Sequence, residues 1–299
     1  MHLGLLLLGI FVASTVGAAT SVRVLTYNVY AKPDFTESRF TEERMNELCS
    51  RLRAGPWDIV MLQEAWTTNH RTRLSRCGFP HVMNLRSTGS AEREKNLGSG
   101  LLILSKFPLE KQERKTIVRP SGLQAMFKHG EGLVRKSVYL ARARLPDGRP
   151  LWIATTHFVA NYCDDSDFDH CASYQNVRYS QVTQASKFLL AQTQGESLIF
   201  GGDFNFGPNH VSNDRSWRGF AKFFPRFTQA PFDPAGSSTS CSSNSFKDHD
   251  NGKIDHIYVS PDLTARDGAL VFTDMMTTRK GIETHISDHY GWETTVDIH

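Results

Sequence analysis

The sequence predicts an α/β protein in which two β-sheets pack face to face with helices outside. Many short apolar runs of strand length recur along the chain and few segments carry helical periodicity. The polar residues of chemical interest stand where those runs end, which gathers them on a rim. No linker-like change of composition and no internal repeat interrupts the pattern, so a single domain is expected over residues 20–299.

Residues 1–19 read as a secretory signal peptide: an apolar run from Leu5 to Val12 precedes Ala13, Ser14, Gly17, Ala18 and Ala19. The run is too short to span a bilayer, which takes roughly 20 apolar residues. A secreted, monomeric protein is the expectation. Val22–Val29 then reads as a buried strand and Thr41–Leu52 as a helix with acids in its first turn. Asp58–Leu62 is a second buried strand that ends on Gln63 and Glu64. Further strands are expected at Leu101–Leu104, Ser137–Leu145, Leu151–Thr156, Ser197–Phe200, Ile254–Val259 and Gly291–Asp297, with a helix over Tyr174–Ala191. The Ser-rich segment Gly236–Ser245 reads as a surface loop.

The chain of 299 residues has a formal net charge of +3, too small by itself to argue for a nucleic-acid partner. Five cysteines in an exported chain point to disulfides. Cys49 with Cys77 would staple the first helix to its neighbour and Cys163 with Cys171 would close a short loop, leaving Cys241 odd. No Cys-x-x-Cys spacing suggests a zinc site.

Four places carry the chemistry. Glu64 stands where the run Ile59-Val60-Met61-Leu62 reaches a rim, an oxygen ligand suited to a hard cation such as magnesium, and Asn28 ends a strand of its own. In Leu198-Ile199-Phe200-Gly201-Gly202-Asp203-Phe204-Asn205 an acid and an amide lie two residues apart, on one face if the chain stays extended. An Asx-type turn is the alternative. The glycines there admit a close approach by substrate or backbone. Asp255 sits inside an apolar strand, where a carboxylate needs a partner. Ser287-Asp288-His289 supplies one, and an aspartate–histidine pair makes a general base.

Taken in order, Thr26-Tyr27-Asn28, Leu62-Gln63-Glu64, Thr156-His157, Gly202-Asp203-Phe204-Asn205, Ile254-Asp255-His256 and Ser287-Asp288-His289 resemble the motifs of the endonuclease/exonuclease/phosphatase superfamily. The resemblance implies a four-layer α/β sandwich of two packed mixed β-sheets flanked by helices, the fold of deoxyribonuclease I. It also implies hydrolysis of a phosphate ester by in-line attack of water with Mg2+, or with Mn2+ or Co2+ in its place. Glu64 would bind the metal with Asn28, and Asp288 would lie close to metal or histidine. Asp203 and Asn205 would position the water and hold phosphate oxygens. His289, oriented by Asp255, would be the base, and His157 would face the phosphate.

The segment Thr156-His157-Phe158-Val159-Ala160-Asn161-Tyr162, the acids from Asp164 to Asp169, and then Arg178 and Gln181 on a helix resemble neutral sphingomyelinases. Arg178, Val182, Ala185 and Leu189 share one helical stripe, so Arg178 points into the protein. Glu131 and Lys136 stand five residues apart, the spacing of that branch's phosphate-binding turn but with glutamate where the branch usually has aspartate, and the resemblance implies that Lys136 contacts substrate. The implied partner is sphingomyelin or a related phospholipid, met by peripheral contact at a membrane surface. Phe220, Phe223, Phe224 and Phe227 have helical spacing and read as core, and Phe272–Ile286 is too short and polar to insert deeply. The alternatives are a secreted nuclease of the deoxyribonuclease I type, for which Arg71, Arg73, Arg76, Arg93 and Lys95 are the basic candidates, and an inactive lipid- or protein-binding relative.

Overall fold

Side chains alternate along the central strands, and that period of two builds two sheets with a shared interior. The computed structural model describes residues 20–32, 39–85, 98–121, 131–160, 168–208, 215–231, 238–246 and 252–299, residues 168–171 by their backbone alone. The first sheet comprises β1 (Thr20–Ala31), β2 (Ile59–Ala65), β3 (His81–Met83), β4 (Leu102–Ser105), β11 (Leu263–Val271) and β14 (Gly291–Ile298), in the order β11-β14-β1-β2-β4-β3. The second comprises β5 (Leu109–Thr116), β6 (Ser137–Arg144), β7 (Pro150–His157), β8 (Leu198–Asp203), β9 (Thr228–Gln229) and β10 (Asp255–Val259), in the order β5-β6-β7-β8-β10-β9. Both sheets are mixed, because β1 runs parallel to β2 and β7 parallel to β8.

Three apolar layers follow from the alternation. Val24, Met61, Ile103, Ile153, Ile199, Ile257 and Trp292 fill the space between the sheets. On the outer face of the first sheet, Leu25, Tyr27 and Leu62 receive Met45, Leu48 and Leu52 of α1 (Thr41–Ala54) and Leu74 of α2 (Thr68–Leu74). On the outer face of the second, Leu140, Ala154 and Phe200 receive Val182, Ala185 and Leu189 of α3 (Phe168–Thr193) and Phe220 of α4 (Arg215–Phe223). This is the four-layer sandwich that the sequence resemblance implies. Phe220 and Phe224 are core, and Phe223 and Phe227 pack against them partly buried, in keeping with their helical spacing.

Differences from the sequence reading have local causes. β5 and β11 are partly exposed strands whose charged side chains hide their period, and neither was expected. A short hairpin, β12 (Met276–Thr277) with β13 (Glu283–Thr284), lies within the segment that precedes the Ser-Asp-His motif. The Ser-rich segment is not simply a surface loop. Thr239, Ser240 and Asn244 are buried in it, and Ser240 pairs with Gly252. Among the described residues no helix is long and apolar enough to cross a membrane.

Cys49 and Cys77 form a disulfide that ties α1 to the end of α2, and Cys241 is free. The proposed pairing of Cys163 with Cys171 lies outside the described side chains. With the bridged cysteines 28 positions apart, replacing both by alanine should cost about 2–4 kcal/mol of stability. Urea unfolding of the double variant beside the parent would measure it, and an unchanged midpoint would mean the staple is idle.

Candidate active site

The site forms where β1, β2, β7 and β8 end and β10 begins on one rim, beside the turn before β14. Asn28 near the end of β1 donates from Nδ2 to Glu64 Oε1 (3.2 Å) and to Asp203 Oδ2 (3.0 Å), while its own oxygen accepts from Tyr30 N. It thus fixes two carboxylates from opposite sheets. Beneath it, Gln63 Nε2 bridges the sheets by donating to Thr26 Oγ1 and Thr155 Oγ1, each 3.1 Å away. Glu64 adopts a left-handed backbone, φ 61°, a strained conformation of the kind that collects at functional sites. Trp66 Nε1 donates to its other oxygen at 3.4 Å.

Asp203 lies at the centre. Its Oδ1 accepts from Asn205 N at 3.0 Å, so the acid and amide form an Asx turn in place of an extended pair. Asn205 has φ 53° and spends one amide proton on Phe158 O (3.1 Å), leaving the other for a ligand. His157 Nε2 stands 3.5 Å from Asp203 Oδ2 and 3.9 Å from Glu64 Oε1. The glycines before Asp203 serve the fold: a Cβ on Gly202 would lie 2.1 Å from Thr156 O on the neighbouring strand, and one on Gly201 would strike Met61.

Opposite, His289 Nδ1 and Asp255 Oδ2 are 2.7 Å apart. His289 Nε2 faces Asp203 Oδ2 at 3.9 Å and Asp288 Oδ1 at 4.0 Å. Ser287 Oγ donates to Asn28 O at 2.6 Å and accepts from His289 N, which joins this turn to β1. Asp203, Asp255 and His289 offer ligand atoms within 4.8 Å of one another. The 2.7 Å contact between Asp255 and His289 is a hydrogen bond and leaves no space for an ion between them. A hard cation fits better on the Glu64 side, where acids crowd together with too few cations.

The electrostatics show that crowding. Burial, and then the nearby Asp288, hold the Glu64 carboxyl above its usual range. Burial and the Asp255 charge push Asp203 up to about 7, against the lowering effect of His289 and the Asn28 hydrogen bond. Burial opposes charge on His289, yet Asp255 and Asp288 outweigh it and push the imidazole up to about 10. His157 is held well below the usual range by burial and by the cations Lys136 and His289, so it is neutral at pH 7 and hydrogen-bonds without carrying charge. A divalent cation bound beside Asp203, whose carboxyl is pushed up to about 7, must displace the proton there. Magnesium affinity should therefore be higher at about pH 8 than at about pH 6, with net proton release at the lower pH. Calorimetric titration in two buffers of different ionisation enthalpy would read the release, and equal affinity at both pH values would refute the placement.

Lys136 differs from what the resemblance implies. It is buried, pairs with Glu131 Oε2 at 2.9 Å and donates to Phe158 O at 3.2 Å. Glu131 Oε1 in turn accepts from Ala160 N. Lys136 therefore acts on the site by holding the 158 carbonyl and by its charge beside His157, not by reaching for a phosphate. Arg178 is fully buried and donates to Val159 O at 3.0 Å, and Gln181 clamps Val159 N and Val118 O. The acids from Asp164 to Asp169 lie outside the described side chains. Sequence reasoning missed Thr239 and Asn244, whose serine-rich surroundings carry no periodic signal.

A family model described as Endonuclease/Exonuclease/phosphatase family matches residues 25–289. An inositol phosphosphingolipids phospholipase C of Schizosaccharomyces pombe is 25% identical over 95% of this chain and 70% of its own length. A putative neutral sphingomyelinase of Drosophila melanogaster is 28% identical over 64% of this chain, which spans 40% of that protein. Among solved structures, a beta toxin variant from Staphylococcus aureus with bound magnesium ions superposes with a TM-score of 0.71 at 15% identity, covering 92% of this chain and 99% of the toxin. The chain thus belongs to the Endonuclease/Exonuclease/phosphatase family, with similarity to sphingomyelinases, and is a phosphodiester hydrolase by that membership and by the site it carries.

Proposed function

We propose that this chain is a secreted, magnesium-dependent sphingomyelin phosphodiesterase that releases ceramide and phosphocholine. The observation that carries the reading is the 2.7 Å Asp255–His289 pair, set opposite Glu64 and Asp203 in a chain similar along most of its length to a sphingolipid phospholipase C. Arg178 and Gln181, which bind the backbone of Val159 just after His157, support the sphingomyelinase branch.

Glu64 would hold the cation, with Asp203 and Asp288 beside it and Asn28 orienting the Glu64 carboxylate. Mn2+ or Co2+, which also accept oxygen donors, would serve in place of Mg2+. The ion supplies Lewis acidity and a clamp on charge developing at the phosphate. His289, which Asp255 and Asp288 keep protonated while no cation offsets them, would take a proton on Nε2 from the attacking water once the charge of a bound cation lowers it, while Asp255 keeps the proton on Nδ1 and stabilises the imidazolium. Asn205 presents its remaining amide proton to a phosphate oxygen, and His157 donates from Nε2 to another. Water oxygen bonds to phosphorus as the bond from phosphorus to the ceramide oxygen breaks; the leaving alkoxide takes a proton from solvent, and His289 returns its own to solvent.

Exposed Met275 and Ile282 on the β12–β13 hairpin, 52% and 45% accessible, support shallow contact with a lipid surface. The disulfide supports export into an oxidising compartment. Two of the cations named for the nuclease alternative are engaged within the fold, and Arg93 and Lys95 lie outside the described residues. Arg71 is buried against the carbonyls of Ala65 and Trp66, and Arg73 pairs with Glu42. Intact metal and base positions disfavour an inactive relative.

The test sets the mature protein with magnesium against sphingomyelin liposomes and against plasmid DNA, with His289→Ala as control. Phosphocholine release alone supports the proposal. DNA cleavage alone would transfer it to the nuclease class, and no turnover of either would favour a binding protein.

A further inference from the structure

The two halves of the base belong to different sheets. Asp255 opens β10, whose ladder partners are β8 and β9, whereas His289 precedes β14, whose partners are β11 and β1. No strand pairing therefore sets the distance between them. A single segment bonds to both sides. Thr239 Oγ1 accepts from Ile254 N and Asp255 N, each at 3.2 Å, and the Thr239 carbonyl accepts from Tyr290 N at 2.7 Å. Asn244 Nδ2 donates to Ser287 O at 2.9 Å, and Ser245 N donates to His285 Nδ1 at 3.0 Å. Both Thr239 and Asn244 are buried.

We infer that this segment, 239–245, is a splint that fixes the Asp255–His289 geometry, and that Thr239 is its principal positioning residue. One threonine side chain grips the aspartate's strand while its own carbonyl grips the residue after the histidine, so the pair closes only when the splint is seated. An orienting group of this kind works through others and touches no substrate. A misplacement on the order of 1 Å in a catalytic group can cost about 100-fold in rate.

The inference rests on the phosphodiesterase reading for its kinetic arm alone; a spectroscopic arm needs no substrate. Thr239→Val keeps shape and removes the acceptor, whereas Thr239→Ser keeps it. With sphingomyelin in mixed micelles, or with bis(p-nitrophenyl) phosphate, and magnesium, Thr239→Val should lower kcat by about 10- to 100-fold with KM unchanged. Thr239→Ser should stay near the parent. The far-downfield proton of the Asp255–His289 hydrogen bond, seen by proton NMR, should be lost or moved upfield in Thr239→Val and kept in Thr239→Ser. A folded Thr239→Val with parental kcat and an unshifted resonance would overturn the inference, as would equal losses in both variants. Should Thr239→Val fail to fold, Asn244→Ala decides: a fall in kcat at constant KM supports the splint, and an unchanged kcat sinks it. If the parent turns over neither substrate, the functional reading fails while the resonance still judges the splint.

Discussion

Asp255→Asn should lower kcat by about 10³- to 10⁴-fold and leave the fold in place. The carboxylate is fully buried and its Oδ2 is 2.7 Å from His289 Nδ1, so it sets both the tautomer and the direction of the ring. An amide of the same size can donate to Nδ1, which would place the imidazole proton on Nε2 and turn the base into a donor. KM should change little, because the pair acts on the water and not on the bound ester. Steady-state kinetics beside a thermal melt would separate the effect from unfolding. A variant within tenfold of the parent kcat would mean that His289 is not the base.

Glu64→Gln should remove magnesium-stimulated turnover, weakening the metal response by more than about 100-fold. Glutamine keeps the volume and can still accept from Asn28 Nδ2, as Glu64 Oε1 does at 3.2 Å. What it loses is the charge that burial and Asp288 already make costly without a counter-ion. Kinetics over a range of magnesium concentrations would read it, with magnesium calorimetry as the second measurement. Parental activity in excess chelator would remove the metal from the mechanism.

The strands around the site were legible because apolar residues dominate or alternate along them: β1, β2, β8 and β10 appear in the sequence within a few residues of their true ends. Their order of motifs also revealed the residues that meet at the rim, although Asn28 and Glu64 lie 36 positions apart and Asn28 and Asp203 lie 175 apart. The geometry of the contacts was not legible. Asn205 leaves the strand in an Asx turn because Asp203 offers its backbone N–H an acceptor at 3.0 Å. Lys136 looks available for phosphate in a charged stretch, yet Glu131 and the Phe158 carbonyl claim it. Thr239 was hidden because a serine-rich segment has no period, and its importance arises from two distant backbone segments that only the fold brings together.

The measurement that bears most directly on the central claim is turnover of sphingomyelin with magnesium in water enriched in oxygen-18, read by mass spectrometry of both products. In-line attack by a water that His289 deprotonates places the label on the phosphate of phosphocholine and leaves ceramide unlabelled. Label in ceramide, or the same labelled phosphocholine from the His289→Ala variant at the parental rate, would contradict the account.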